Sequence, residues 1–207
     1  MKKLIFLLTL LFLSTLSIAQ KGKSNSSSKS VVLSKVDNIS AEIITINKEK
    51  NLVLLVKDSS VVTLEVKKNV PNNFKPENFT IKSFTTNGKK FYHITWKEKI
   101  NSVTKLKTEN GLVSEDQIWD VETKTLLLGN THKALNIKEK VYLDKNKTAS
   151  HDVEKNRKEG FDFVLNADGS FNLSTKTQNS VYVYNTEANK YVLKSAPSSK
   201  STSKKRR

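Results

Sequence analysis

His151, Asp152 and Glu154 stand together as His-Asp-x-Glu. An imidazole and two carboxylates this close are the donor types that bind a divalent metal. Common metal sites take several ligands in fixed geometry, and no second cluster of such residues accompanies this one. The run also reads as the polar start of a helix, where Asp152 and Glu154 meet the positive end of the dipole. We take that reading first and expect no metal or other cofactor. His93 and His132 stand alone, and an isolated imidazole needs a partner to act as acid or base. Carboxylates pair at Glu115-Asp116 and at Asp120 with Glu122. A glycosidase needs two across a cleft, whereas both pairs fall in predicted turns, where solvated acids are ordinary.

Trp119, Tyr182, Tyr184 and Tyr191 could line an aromatic platform for a sugar or an apolar ligand. The competing reading is cross-strand packing, since strands favour aromatic residues and are stabilised by them. Lys204, Lys205, Arg206 and Arg207 form a basic run able to attract polyanions by counterion release. It lacks interleaved aromatics, so sequence-specific nucleic-acid recognition is not expected. Solvation alone is the plainer use of such a run. Cysteine nucleophiles are excluded, because the sequence has none. Gly-x-Ser-x-Gly is absent, and the six glycines stand singly, so neither a nucleophile elbow nor a phosphate-cradling loop is present.

The start of the chain reads as an export signal. Lys2 and Lys3 precede an apolar run from Leu4 to Leu13, and Ser17-Ile18-Ala19 is a small-x-small cleavage signal. This reads as a secretory signal peptide over residues 1–19, cut between Ala19 and Gln20. Its apolar run is too short for a membrane span. No cysteine follows it, so a lipoprotein anchor is not expected. The leader, with Gln just after the cut, resembles those of exported proteins of Bacteroidetes-type bacteria. The β region resembles uncharacterised secreted proteins of that group. The resemblance implies a periplasmic or extracellular location and brings no activity with it.

The elements that would position these residues are strands. Asn87-Gly88 divides two alternating runs and suits a two-residue type I′ turn. Residues 42–46, 51–57 and 61–67 read as strands joined by short polar loops. Residues 69–77 hold two of the three prolines and read as a crossing loop, since proline cannot donate to a sheet ladder. Tyr92, Ile94 and Trp96 share the better core face of their strand. Further turns are expected at Asn110-Gly111, Gly129-Asn130 and residues 166–169. Thr148 or Ser150 caps an expected short helix over residues 149–159, stopped by Gly160.

The prediction is a single all-β domain over residues 31–194: an antiparallel barrel or sandwich of about 11–12 short strands with at most one short helix. A flexible leader (20–30) and a disordered basic tail (195–207) flank it. The low apolar content favours a single-layer core or small barrel. An outer-membrane barrel is the competing fold, although most runs are shorter than such strands need. The net charge of +16 is concentrated in the tails. The functional expectation is an exported, non-catalytic domain binding an anionic envelope or extracellular component. The alternatives are a carboxylate- or metal-dependent hydrolase near His151, and an assembly subunit pairing through a strand edge.

Overall fold

Asn87 and Gly88 take φ of 49° and 77°, the left-handed pair that closes a two-residue hairpin. The same turn recurs at Asn47-Lys48, with φ of 51° and 72°. Turns of this kind organise the computed structural model, which describes residues 30–58 and 60–194. These residues are all-β, with three open antiparallel sheets, each a meander of consecutive strands. The first comprises β1 (Val31–Val36), β2 (Ile39–Ile46), β3 (Glu49–Lys57) and β4 (Val61–Lys67). The second comprises β5 (Glu77–Thr86), β6 (Lys89–Val103), β7 (Lys107–Asp120), β8 (Thr125–Tyr142) and β9 (Ser150–Glu159). The third comprises β10 (Asp162–Leu165), β11 (Phe171–Ser174), β12 (Asn179–Asn185) and β13 (Lys190–Leu193). The predicted leader, signal cleavage site and basic tail lie outside the described residues.

The second sheet is the middle layer. Successive side chains of a strand point to opposite faces, and β6 buries both. Tyr92, Ile94 and Trp96 join Ile81 and Trp119 against Ile39, Leu52, Leu54 and Leu64 of the first sheet. Phe91 and Ile118, on the other face, pack with Phe171 and Tyr184 of the third sheet. The expectation of a single-layer core or small barrel is therefore corrected: two cores lie between three layers, and no sheet closes. Low average apolar content misled because the core residues are concentrated in the inner halves of the strands.

The third sheet is pinned to the β5–β6 hairpin. Asn87 Nδ2 donates to the Tyr184 carbonyl at 2.9 Å, and Lys89 Nζ to Asn189 Oδ1 at 2.7 Å. Gly169, at φ 80°, lies so close to Thr86 that a Cβ there would sit 2.5 Å from the Thr86 Cβ. The proline-bearing segment between β4 and β5 crosses from the first sheet to the second and adds Val70 and Phe74 to the first core.

Three local expectations are overturned. Asn110-Gly111 is not a turn but lies inside β7, paired with Asn136 and Leu135. Gly111 is needed for close approach, since a Cβ would sit 2.2 Å from the Ala134 carbonyl oxygen. Gly129-Asn130 likewise lies within β8. The expected helix over residues 149–159 is β9, which pairs along its whole length with β8, from Lys133–Glu159 to Tyr142–Ser150. Ten ladder positions outweigh the helix propensity of a polar segment. The count of strands rises to thirteen among the described residues, and β6, β7 and β8 run to 15, 14 and 18 residues rather than being short.

The extra length has nowhere to pack. The outer halves, residues 97–103, 107–114, 131–142 and 150–159, belong to neither core. Beyond Glu98, which Lys67 of β4 reaches, and His132, which faces Asp162 of β10, they project as one sheet layer open on both faces. Val113 and Ile137 are the buried apolar residues there. Ile137 lies between Glu109 and Lys155 on the flanking strands, and long charged side chains cover apolar neighbours with their stems. Ion pairs cross the strands, with Lys155 Nζ 3.0 Å from Glu139 and Lys138 Nζ 3.6 Å from Glu154.

Candidate functional site

The structure separates the residues whose types suggested chemistry. On β9, His151 points to one face of the projecting sheet, and Asp152 and Glu154 to the other, as strand alternation demands. Glu154 instead accepts from Asn136 Nδ2 at 2.8 Å. Among the described residues no group of three His, Asp or Glu side chains is disposed to hold a metal. Trp119 and the tyrosines do not form one platform. Trp119 is 6% exposed in the first core, and Tyr184 is 4% exposed in the second with Tyr182 and Tyr191 beside it. Phe171 stacks on Tyr182 with ring centres 5.0 Å apart and meets Tyr191 at 4.7 Å. Tyr191 donates to the Gly169 carbonyl at 2.9 Å, and burial, helped by Tyr184 and Asp168, pushes its hydroxyl well above the ordinary value.

Of the two carboxylate pairs, Glu115-Asp116 lies inside a strand rather than in a turn, whereas Asp120 and Glu122 do stand at a turn, Glu122 exposed within it. Glu115 and Asp116 sit mid-β7 and face opposite ways. Asp116 reaches His93 Nε2 at 3.0 Å, with the imidazole 4.9 Å from the Phe163 ring. Glu115 accepts from Thr131 Oγ1 at 2.7 Å. Burial raises its carboxyl above the usual range, against the pull of that hydrogen bond and of Lys67. Lys67 lies 2.5 Å from Glu98, which also accepts from Trp96 Nε1 at 2.7 Å. Asp120 ends β7 and accepts the backbone N–H of Thr123, closing the turn that contains Glu122. Asp116, Glu115 and Glu98 thus tie neighbouring strands together, and Asp120 holds a turn. His132 faces Asp162 at 3.6 Å, on the rim of a cleft of about 410 Å³ between the projecting sheet and β10–β11.

The feature that sequence reasoning missed is the free end of the projecting sheet. Two turns meet there, residues 104–106 and 143–149. Thr104 Oγ1 accepts from the Lys107 N–H at 3.0 Å and closes the first. In the second, Asp144 accepts from Thr148 N, Thr148 Oγ1 and Ala149 N, at 3.1, 3.0 and 2.8 Å. Those bonds hold the Asp144 carboxyl below its ordinary value, the Ala149 N–H contributing most. The Lys140 N–H donates to the Leu106 carbonyl at 2.8 Å and locks the turns side by side. Val103 is 72%, Leu143 66%, Leu106 39% and Val141 37% exposed. Lys105, Lys107, Lys140, Lys145 and Lys147 stand on the same turns and strand ends, and Glu139, Asp152 and Glu154 share a groove with Lys105, Leu106, Lys107 and Lys140.

No family model, curated protein or solved structure matches the chain.

The end of the sheet is thus described from its own geometry. Its alternation of Val, Leu and Tyr with Lys was visible in the sequence at residues 103–107 and 140–147. It was overlooked because residues 103–108 read as one continuous strand with its turn at Asn110-Gly111, which hides the turn at residues 104–106.

Proposed function

We propose that this is an exported binding domain, not an enzyme, and that it attaches to a component of the cell envelope or extracellular matrix. The observation that carries this reading is the sheet extension that leaves both cores behind. A layer open on both faces gains little from burial, so its length is best explained by contact outside the molecule. The basic balance of the chain favours an anionic partner, by attraction over a surface several lysines wide. The three imidazoles lie apart, on β6, β8 and β9, and among the described residues no three acid–base side chains are gathered to hold a metal. His93 is held by Asp116, His132 faces Asp162, and His151 is turned away from Asp152.

The test uses the mature chain and isolated envelopes of the cells that export it. Saturable retention at low salt that weakens at high salt is the expected result. A chain that stays in solution at low salt, over the whole range of envelope added, contradicts the reading.

A further inference from the structure

We propose that β9 pairs with β9 of a second copy of the chain, antiparallel about a two-fold axis at Lys155, so that two five-stranded sheets become one continuous sheet. β9 is the last strand of its sheet. Among the outer strands only β5 matches its ten residues, and β5 lies against β1. A long open edge is a template for another strand, which proteins usually shorten or cover.

The ladder fixes which backbone groups face outward. Antiparallel partners alternate between pairs that exchange hydrogen bonds and pairs that do not. The Leu143 N–H donates to the Ala149 carbonyl at 3.0 Å, and the same register runs unbroken from Tyr142–Ser150 to Lys133–Glu159. Odd-numbered residues of β9 therefore bond to β8. Asp152, Glu154, Asn156 and Lys158 direct their N–H and C=O groups away from it.

Charge selects both occupant and register. The chain carries a net +16, yet β9 holds three carboxylates (Asp152, Glu154, Glu159) and three cations (Lys155, Arg157, Lys158). It can meet a copy of itself without net repulsion. Four of the six are paired within the chain: Glu154 with Lys138, Lys155 with Glu139, and Arg157 with Glu159. Asp152 and Lys158 are left without an ion-pair partner among the described residues.

Two-fold pairing within one sheet keeps opposed residues on the same face, so their numbers are both odd or both even. Centred on Lys155, it sets Asp152 opposite Lys158 of the second copy, twice, and His151 opposite Glu159. Its one like-charged pair is Lys155 with its own copy, and each Nζ is drawn away to Glu139, 3.0 Å distant on β8. Centred on Glu154, pairing would face two glutamates and match no opposite charges. Centred on Asn156, it would match Glu154 with Lys158 but set Lys155 against Arg157 twice.

The experiment uses the mature chain, which has no cysteine of its own. Sedimentation should show a reversible dimer. Opposed residues that exchange no hydrogen bond lie about 4.5 Å apart at Cα, within disulfide reach. Lys155→Cys should therefore cross-link under mild oxidation. Glu154→Cys and Asn156→Cys each stand two residues out of register with their own copies, beyond about 7 Å, and should not. Asp152→Lys and Lys158→Asp should each weaken the dimer about tenfold, since each turns two opposed attractive pairs repulsive. Their net charges move in opposite directions, so a loss in both is not a net-charge effect. Combining them should restore the dimer.

A parent that stays monomeric up to about 1 mM overturns the proposal. So does a Lys155→Cys variant that cross-links no better than Glu154→Cys and Asn156→Cys. A dimer indifferent to both charge variants, or weakened further when they are combined, assigns the contact to another surface and likewise overturns it.

Discussion

Phe91 and Tyr92 are consecutive residues and belong to different hydrophobic cores. Phe91 meets Tyr184 edge-on, with ring centres 4.7 Å apart, between the second and third sheets. Tyr92 packs between the first and second sheets, its hydroxyl 3.3 Å from Asp37 Oδ2 at the turn joining β1 and β2. One strand of alternating apolar residues therefore holds three layers together.

Phe91→Ala should cost about 3–5 kcal/mol, the range for deleting a fully buried phenylalanine. Urea denaturation measures it. A loss below about 1 kcal/mol, within the scatter of ordinary substitutions, means that the third sheet does not depend on this contact.

Gly111 and Gly129 separate two uses of glycine in one sheet. Gly111→Ala forces a methyl group onto the Ala134 carbonyl and should destabilise by about 1–3 kcal/mol. Gly129→Ala meets nothing nearer than Leu126 Cδ2 at 3.7 Å and should stay within about 0.5 kcal/mol of the parent. Thermal melts of the two variants decide it, and equal melting temperatures contradict the β7–β8 register.

Two carboxylates, Glu42 buried and Glu115 half-buried, should give opposite pH dependence. Burial holds Glu115 above its ordinary value near 4.5, so the folded state keeps that proton longer than the unfolded chain does. Its contribution to stability falls as pH rises through 4.5 and beyond. Glu115→Gln should therefore gain on the parent as pH rises. Burial also pushes Glu42 up, but hydrogen bonds from Ser40 and Ser30 and the charges of Lys57 and Lys35 leave it below 4.5. Glu42 contributes stability above 4.5 that is lost as pH falls through its lower folded value. Glu42→Gln should lose ground against the parent as pH rises toward neutrality. Parallel pH profiles for both variants contradict this assignment.

The all-β class was legible because alternation and Asn-Gly chemistry are local. Asn87-Gly88 announces its hairpin, and the Tyr92, Ile94 and Trp96 face is the one packed on the first sheet. The middle-layer position of β6 was not legible. Phe91 and His93 on its other face meet Tyr184 and Phe163, 93 and 70 residues further along the chain, which no local pattern reports. Asn110-Gly111 failed as a turn because the same dipeptide also serves where strands approach closely. Residues 149–159 failed as a helix because a single-layer edge strand, wet on both faces, has the charged composition of a surface helix. The candidate site was hidden chiefly by the first of these, since a turn expected at Asn110-Gly111 displaced the one at residues 104–106.

The most direct test of the central claim is amide hydrogen exchange of the mature chain, alone and bound to isolated envelopes. New protection should be concentrated in residues 103–107 and 140–149, at the end of the projecting sheet, with both cores unchanged. Protection confined to the third sheet, to the first sheet or to the basic tail, with the end of the projecting sheet exchanging as freely as before, contradicts the account.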